Sequence, residues 1–183
     1  MKTRKLIAAS LFVALSGLFI GCNDDDGASC AQDYTGALSE QEASFAGTWT
    51  LTGIESSEAI DLTDDDVDNP STDIFAQEDS CLTDIVYEYN TDRTFTYDQG
   101  KNTADCNRSE QFTGTWKLGG NTLGLITNCF ESIEEISFSE DRTSYTVASR
   151  GIVTDANGQR QEVDLTFTYT QGPMMVEPEP TFE

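Results

Sequence analysis

From Phe45 to Gln171 apolar residues alternate with Thr, Ser and charged residues at period two, and helical spacing is weak throughout. That period belongs to strands with one buried face. It predicts strands near 47–54, 84–90, 94–99, 112–118, 121–127, 132–138, 143–153 and 162–171. Turn signals separate them, among them Asn90-Thr91-Asp92, Gly119-Gly120-Asn121, Glu140-Asp141 and Asn157-Gly158. The inward set reads Trp49 and Leu51; Ile85, Tyr87 and Tyr89; Phe95 and Tyr97; Trp116 and Leu118; Leu123 and Leu125; Ile136 and Phe138; Tyr145 and Val147; and Val163, Leu165, Phe167 and Tyr169. Threonines such as Thr48, Thr50, Thr94, Thr96, Thr166 and Thr168 occupy the opposite faces, where they favour strands and tolerate water. Closing eight such strands buries the apolar face and removes the edges. The expected fold is therefore all-β, an eight-stranded antiparallel up-and-down barrel over 45–172, with a two-sheet sandwich as runner-up.

Residues 55–83 interrupt the pattern and read as a long polar connection across a barrel mouth. Asp64, Asp66 and Asp68 have the spacing that opens a Ca²⁺ loop, but Asn69 replaces the turn glycine and Phe75 stands where the bidentate Glu belongs, so a solvated loop is expected and no metal ligand is assigned.

Phe45-Ala46-Gly47-Thr48-Trp49-Thr50-Leu51 recurs as Phe112-Thr113-Gly114-Thr115-Trp116-Lys117-Leu118. Glycine permits a tight turn or close approach, and Trp two residues later can plug one end of a core. Here the chain resembles the lipocalin-like domain of bacterial surface lipoproteins, within the wider lipocalin or calycin grouping. Gly47-Thr48-Trp49 is similar to the Gly-x-Trp signature of the first lipocalin strand, and the stretch from Cys81 through Tyr87-Glu88-Tyr89-Asn90-Thr91-Asp92-Arg93-Thr94-Phe95-Thr96-Tyr97, Cys106 and Gly114-Thr115-Trp116 is similar to the family's central block. Arg93 stands where the family usually has a turn glycine. The resemblance covers roughly 45–171 and implies an up-and-down barrel able to hold a small apolar molecule.

Lys2, Arg4 and Lys5 precede an uncharged, mostly apolar run from Leu6 to Ile20, the layout of a signal peptide over 1–21, too short to span a bilayer. Leu18-Phe19-Ile20-Gly21-Cys22 resembles the bacterial lipobox, which implies lipidation of Cys22, so the expected membrane contact is lipid on that residue. Asn23-Asp24-Asp25-Asp26 resembles an acidic export tag of Gram-negative surface lipoproteins, implying an outer membrane lipoprotein at the cell surface, with a periplasm-facing anchor as the alternative. Residues 22–44 read as a flexible acidic tether and 173–183 as an extended tail.

Setting Cys22 aside, Cys30, Cys81, Cys106 and Cys129 are even in number, as suits disulfides in an exported protein. Three pairings are open. Cys81 and Cys106 bracket the Tyr87/Phe95 hairpin, so its open end brings them together, a bridge worth at most about 3.5 kcal/mol by loop entropy. Cys30 and Cys129 would then staple the tether to the barrel.

Ten Lys and Arg against 33 Asp and Glu, a net charge of -23, argue against nucleic acid, and the absence of His removes imidazole bases and His-containing metal sites. No enzyme, catalytic residue or cofactor is expected. The leading expectation is a membrane-anchored barrel binding a small hydrophobic or aromatic ligand, lined by Trp49, Tyr87, Tyr89, Phe95, Tyr97 and Trp116. The alternative is a non-enzymatic interaction or structural lipoprotein whose filled barrel contacts a protein or glycan partner.

Overall fold

The computed structural model describes residues 30–172 other than 105 and 108. The signal peptide, Cys22, the acidic run and the tail 173–183 lie outside the described residues. Two short helices and nine strands follow one another: α1 (Glu40–Phe45), β1 (Gly47–Ile60), β2 (Ser71–Asp73), α2 (Ser80–Thr83), β3 (Ile85–Tyr89), β4 (Thr94–Gln99), β5 (Glu110–Gly119), β6 (Thr122–Thr127), β7 (Phe130–Phe138), β8 (Ser144–Thr154) and β9 (Arg160–Gln171). The sheet order is β2-β1-β3-β4-β5-β6-β7-β8-β9, all neighbours antiparallel, and β1 also pairs with β9. Eight strands therefore close as a barrel, and β2 hangs on the far half of β1. The expected inward residues supply most of the core, with Trp49, Leu51, Tyr89, Phe95, Trp116, Leu118, Leu123, Ile136, Tyr145, Val163 and Leu165 all buried.

Three hairpins share one turn. The amides of Arg93, Arg142 and Gly158 donate to the carbonyls of Asn90, Ser139 and Asp155 at 3.1, 3.0 and 2.9 Å. Each donor residue is left-handed, with φ of 72°, 58° and 82°. Asp92 and Asp141 hold the two Arg turns by accepting from the amide and hydroxyl of Thr94 and Thr143. Glycine takes this conformation freely, whereas a side chain there costs about 1 kcal/mol.

The two Trp motifs use their glycines differently. Gly47 has φ 135°, a backbone that side chains rarely adopt. Gly114 lies so close to the Ile126 carbonyl and Phe95 ring that a Cβ would collide with both.

Two expectations need correction. The connection 55–83 is not wholly loop, because β1 runs on to Ile60 and Ile60 and Ile74 are buried. Ser56 keeps the inward alternation with a small polar residue, so the surrounding charge hid the strand. The described part of the expected tether, 30–44, is packed. Ala31 N–H donates to Cys129 O, Tyr34 N–H donates to Thr115 Oγ1, and the segment lies over the outer face of β6 before entering α1. This cover explains why Leu123, Gly124, Leu125 and Ile126 are buried in succession. Cys30–Cys129 pins the strap at one end, and Cys81–Cys106 joins α2 to the β4–β5 connection, the two bridges anticipated above.

Candidate binding interior

One end of the barrel is plugged. α1 begins with a capping box: Ser39 Oγ accepts from Glu42 N–H while Glu42 Oε2 accepts from Ser39 N–H at 2.7 Å. The helix delivers Phe45 into the barrel, where its ring stacks on Trp49 at 4.8 Å and meets Tyr89, Trp116 and Tyr145. The indole N–H groups of Trp49 and Trp116 donate to Phe45 O and Asn90 O at 2.8 and 3.0 Å. Beside them Arg93 makes a two-pronged pair with Glu42, Nη1 to Oε1 at 2.7 Å and Nη2 to Oε2 at 2.9 Å. Its remaining donors reach the Gly36, Ala37 and Trp116 carbonyls, and Leu118 N–H donates to Glu42 Oε1. Hydrogen bonds from Arg93 hold the Glu42 carboxyl down to about 2 against the cost of burial, and Glu42 in turn raises the Arg93 guanidinium. The left-handed strain at Arg93 is therefore offset by a buried bidentate pair that glycine could not form.

Further inside, the chemistry changes. Five of the six tyrosines, Tyr87, Tyr89, Tyr97, Tyr145 and Tyr169, pack ring against ring, with Tyr87 centred between Tyr89 at 5.6 Å, Tyr97 at 5.1 Å and Tyr169 at 5.6 Å, and Tyr145 stacked on Tyr169 at 5.1 Å. Only the Tyr97 hydroxyl has a hydrogen-bond partner of good geometry among the described residues, donating to Gln99 Oε1 at 2.8 Å. Tyr89 Oη is fully buried without one, although the Tyr145 hydroxyl stands within hydrogen-bonding reach of it. Burial pushes Tyr87, Tyr89, Tyr145 and Tyr169 above the ordinary phenol range and Tyr97 up to about 12, so all stay protonated donors at neutral pH.

Glu134 joins this cluster. On β7, Ser132, Glu134, Ile136 and Phe138 share the less exposed face, and Glu134 pairs in register with inward Leu123. The carboxylate is half-buried, burial alone raises its pKa, and its charge acts on Tyr87, Tyr145 and Tyr169. Among the described residues it has no hydrogen bond or ion pair. Beside it the wall is thin: β7 and β8 pair only from Ile136↔Val147 to Phe138↔Tyr145, while residues 130–135 and 148–154 turn to β6 and β9. Exposed Phe130, Ile133 and Ile152 flank this seam.

All six residues expected to line a ligand site are interior. Trp49, Tyr89, Phe95 and Trp116 lie at or against the plug with 0–1% exposure, while Tyr87 and Tyr97 are half-buried in the tyrosine cluster. Sequence reasoning did not single out Glu42, Arg93 as its partner, Glu134, Tyr145 or Tyr169 as site groups. Ser39-x-x-Glu42 is a legible capping box, and Asp-Arg-Thr at 92–94 and again at 141–143 marks a repeated turn. Extending the Ile136/Phe138 alternation backwards places Glu134 inside.

Fold and interior thus define a closed all-β antiparallel barrel with one plugged end and a polar aromatic interior. Residues 23–172 match the family model described as Domain of unknown function (DUF5004), and the chain belongs to that family. No curated protein matches it.

Proposed function

We propose that this chain is a lipid-anchored, lipocalin-like binding protein of the outer membrane, held through Cys22 and taking a small molecule into its barrel without turning it over. The observation that carries the reading is the interior of tyrosine hydroxyls around a half-buried carboxylate, in which Tyr89 Oη is fully buried without a well-aligned partner among the described residues, because buried polar groups are ordinarily satisfied and an unsatisfied one invites a ligand. Tyr87 and Tyr97 are the lining residues, and Trp49, Tyr89, Phe95 and Trp116 form the floor. Two disulfides support export to an oxidising compartment.

Titrating the full chain carrying Cys22→Ser with the neutral dye N-phenyl-1-naphthylamine tests the interior. The expected result is saturable fluorescence enhancement that Tyr87→Trp reduces; a flat titration refutes an open interior. Metabolic labelling with an alkynyl fatty acid tests the anchor, with label expected on the native chain and lost in Cys22→Ser.

The exposed apolar side chains along the seam support a second reading, an interaction module that meets a protein or glycan partner. Dye exclusion from the interior combined with surface display would favour it.

A further inference from the structure

Glu134 is costly where it stands. A strand residue on the inward face of a barrel is ordinarily apolar, as Ile136 beside it is, and a half-buried carboxylate with no cationic partner among the described residues loses hydration without recompense. Around it are tyrosine rings and hydroxyls, Tyr87, Tyr145 and Tyr169, close enough to feel its charge. Rings present negative faces to a cation, and phenols can accept from an N–H. Tyr89 Oη, fully buried with no neighbour of good hydrogen-bond geometry and only the Tyr145 hydroxyl in reach, lies deeper in the same cluster. The β7–β8 ladder ends at Ile136, so no strand pairing to β8 closes the wall beside Glu134.

Resting on the reading that the barrel interior binds a small molecule, we propose that its ligand is a small organic cation, an amine whose charged nitrogen pairs with Glu134 among the rings and hydroxyls of Tyr87, Tyr145 and Tyr169. The carboxylate supplies the countercharge, the rings supply cation–π contact, and the neighbouring apolar wall takes the body of the molecule. A net charge of -23 favours the approach of cations and opposes anions. A divalent metal is a poor fit, since Ca²⁺ wants six to eight oxygen ligands and no cluster of three acidic or other ligating side chains gathers among the described residues.

Calorimetric titration of the full chain carrying Cys22→Ser with phenethylamine, its neutral isostere 2-phenylethanol and the anion phenylacetate at pH 7 tests the charge requirement. The amine is expected to bind at least tenfold more tightly than the alcohol, and phenylacetate not measurably. Glu134→Gln should weaken the amine at least tenfold, leave the alcohol unchanged, and leave the thermal midpoint equal or higher. Equal binding of amine and alcohol overturns the cation while sparing the binding interior. Failure of all three ligands while the neutral dye still enters also overturns the cation alone; failure of the dye as well removes both. A Glu134→Gln chain that melts earlier yet binds the amine normally makes the carboxylate structural and overturns the proposal.

Discussion

At the plugged end Trp49, Trp116 and Arg93 each find their acceptors, and Glu42 is met by Arg93, Ser39 and Leu118. One layer further in, Tyr87, Tyr145 and Tyr169 pack ring against ring near Glu134, and their polar atoms meet no such partners of good geometry among the described residues. Both regions bury aromatics and a carboxylate. They differ in satisfaction: the first is a closed hydrogen-bonded network whose members hold one another, the second a set of phenols and one carboxylate facing inward. The difference separates a satisfied end from an unsatisfied layer and predicts that equivalent substitutions will act with opposite signs in the two places.

The largest effect is expected from Arg93→Ala, which leaves Glu42 buried without its cation. Urea unfolding should show a loss of about 3–5 kcal/mol. Arg93→Lys should recover little, because an ammonium cannot reproduce the fork. A loss below about 1 kcal/mol would mean that the plug is held by aromatic packing alone.

The same pair carries a pH signature. Glu42 is depressed from 4.5 to about 2, so its stabilisation is present above the unfolded value and is lost as pH falls from about 4.5 towards 2. The lost contribution is on the order of 1–3 kcal/mol. The difference between native and Glu42→Gln stability curves should shrink across that window and stay constant above pH 6.

Glu134 should behave in reverse. Its raised pKa means that the folded state favours the protonated form, so the contribution is present below the unfolded value and lost as pH rises through the folded one. Glu134→Leu should therefore stabilise by about 1–2 kcal/mol at neutral pH and by less at pH 4. Destabilisation at neutral pH would erase the contrast between the two regions.

The smallest effect is a control on the turns. Arg142 has the same left-handed backbone as Arg93 but lies over the Phe138 ring at 4.0 Å instead of entering the plug. Arg142→Gly exchanges strain relief for a lost cation–π contact and should stay within about 0.5 kcal/mol of native. Arg93→Gly should destabilise strongly, and thermal melts of the two variants side by side measure how much the buried pair adds to an identical turn.

Much of the barrel was legible because strand alternation is a local property. Seven of the eight expected strands need only small boundary shifts, while the first runs on through Ser56 to Ile60. Acidic composition misled at two places: it concealed buried Ile60 and Ile74 in the first connection, and it made the strap 30–39 look like a tether although Tyr34 and the Cys30–Cys129 bridge fasten it to β5, β6 and the β6–β7 turn. The aromatic interior was legible as a list of inward residues, but its division into a hydrogen-bonded plug and a tyrosine layer was not, since both draw on aromatic residues.

By itself, then, the sequence determined an all-β antiparallel barrel, its hairpins, the inward parity of its strands and an even set of cysteines, since each follows from neighbours a few residues apart. Tertiary structure alone decided that Arg93 meets Glu42 across 51 positions, that β7 and β8 part company beside Glu134, and that Tyr89 Oη is buried without a well-aligned partner among the described residues. Those outcomes depend on closure and register between distant elements, which a local period cannot specify.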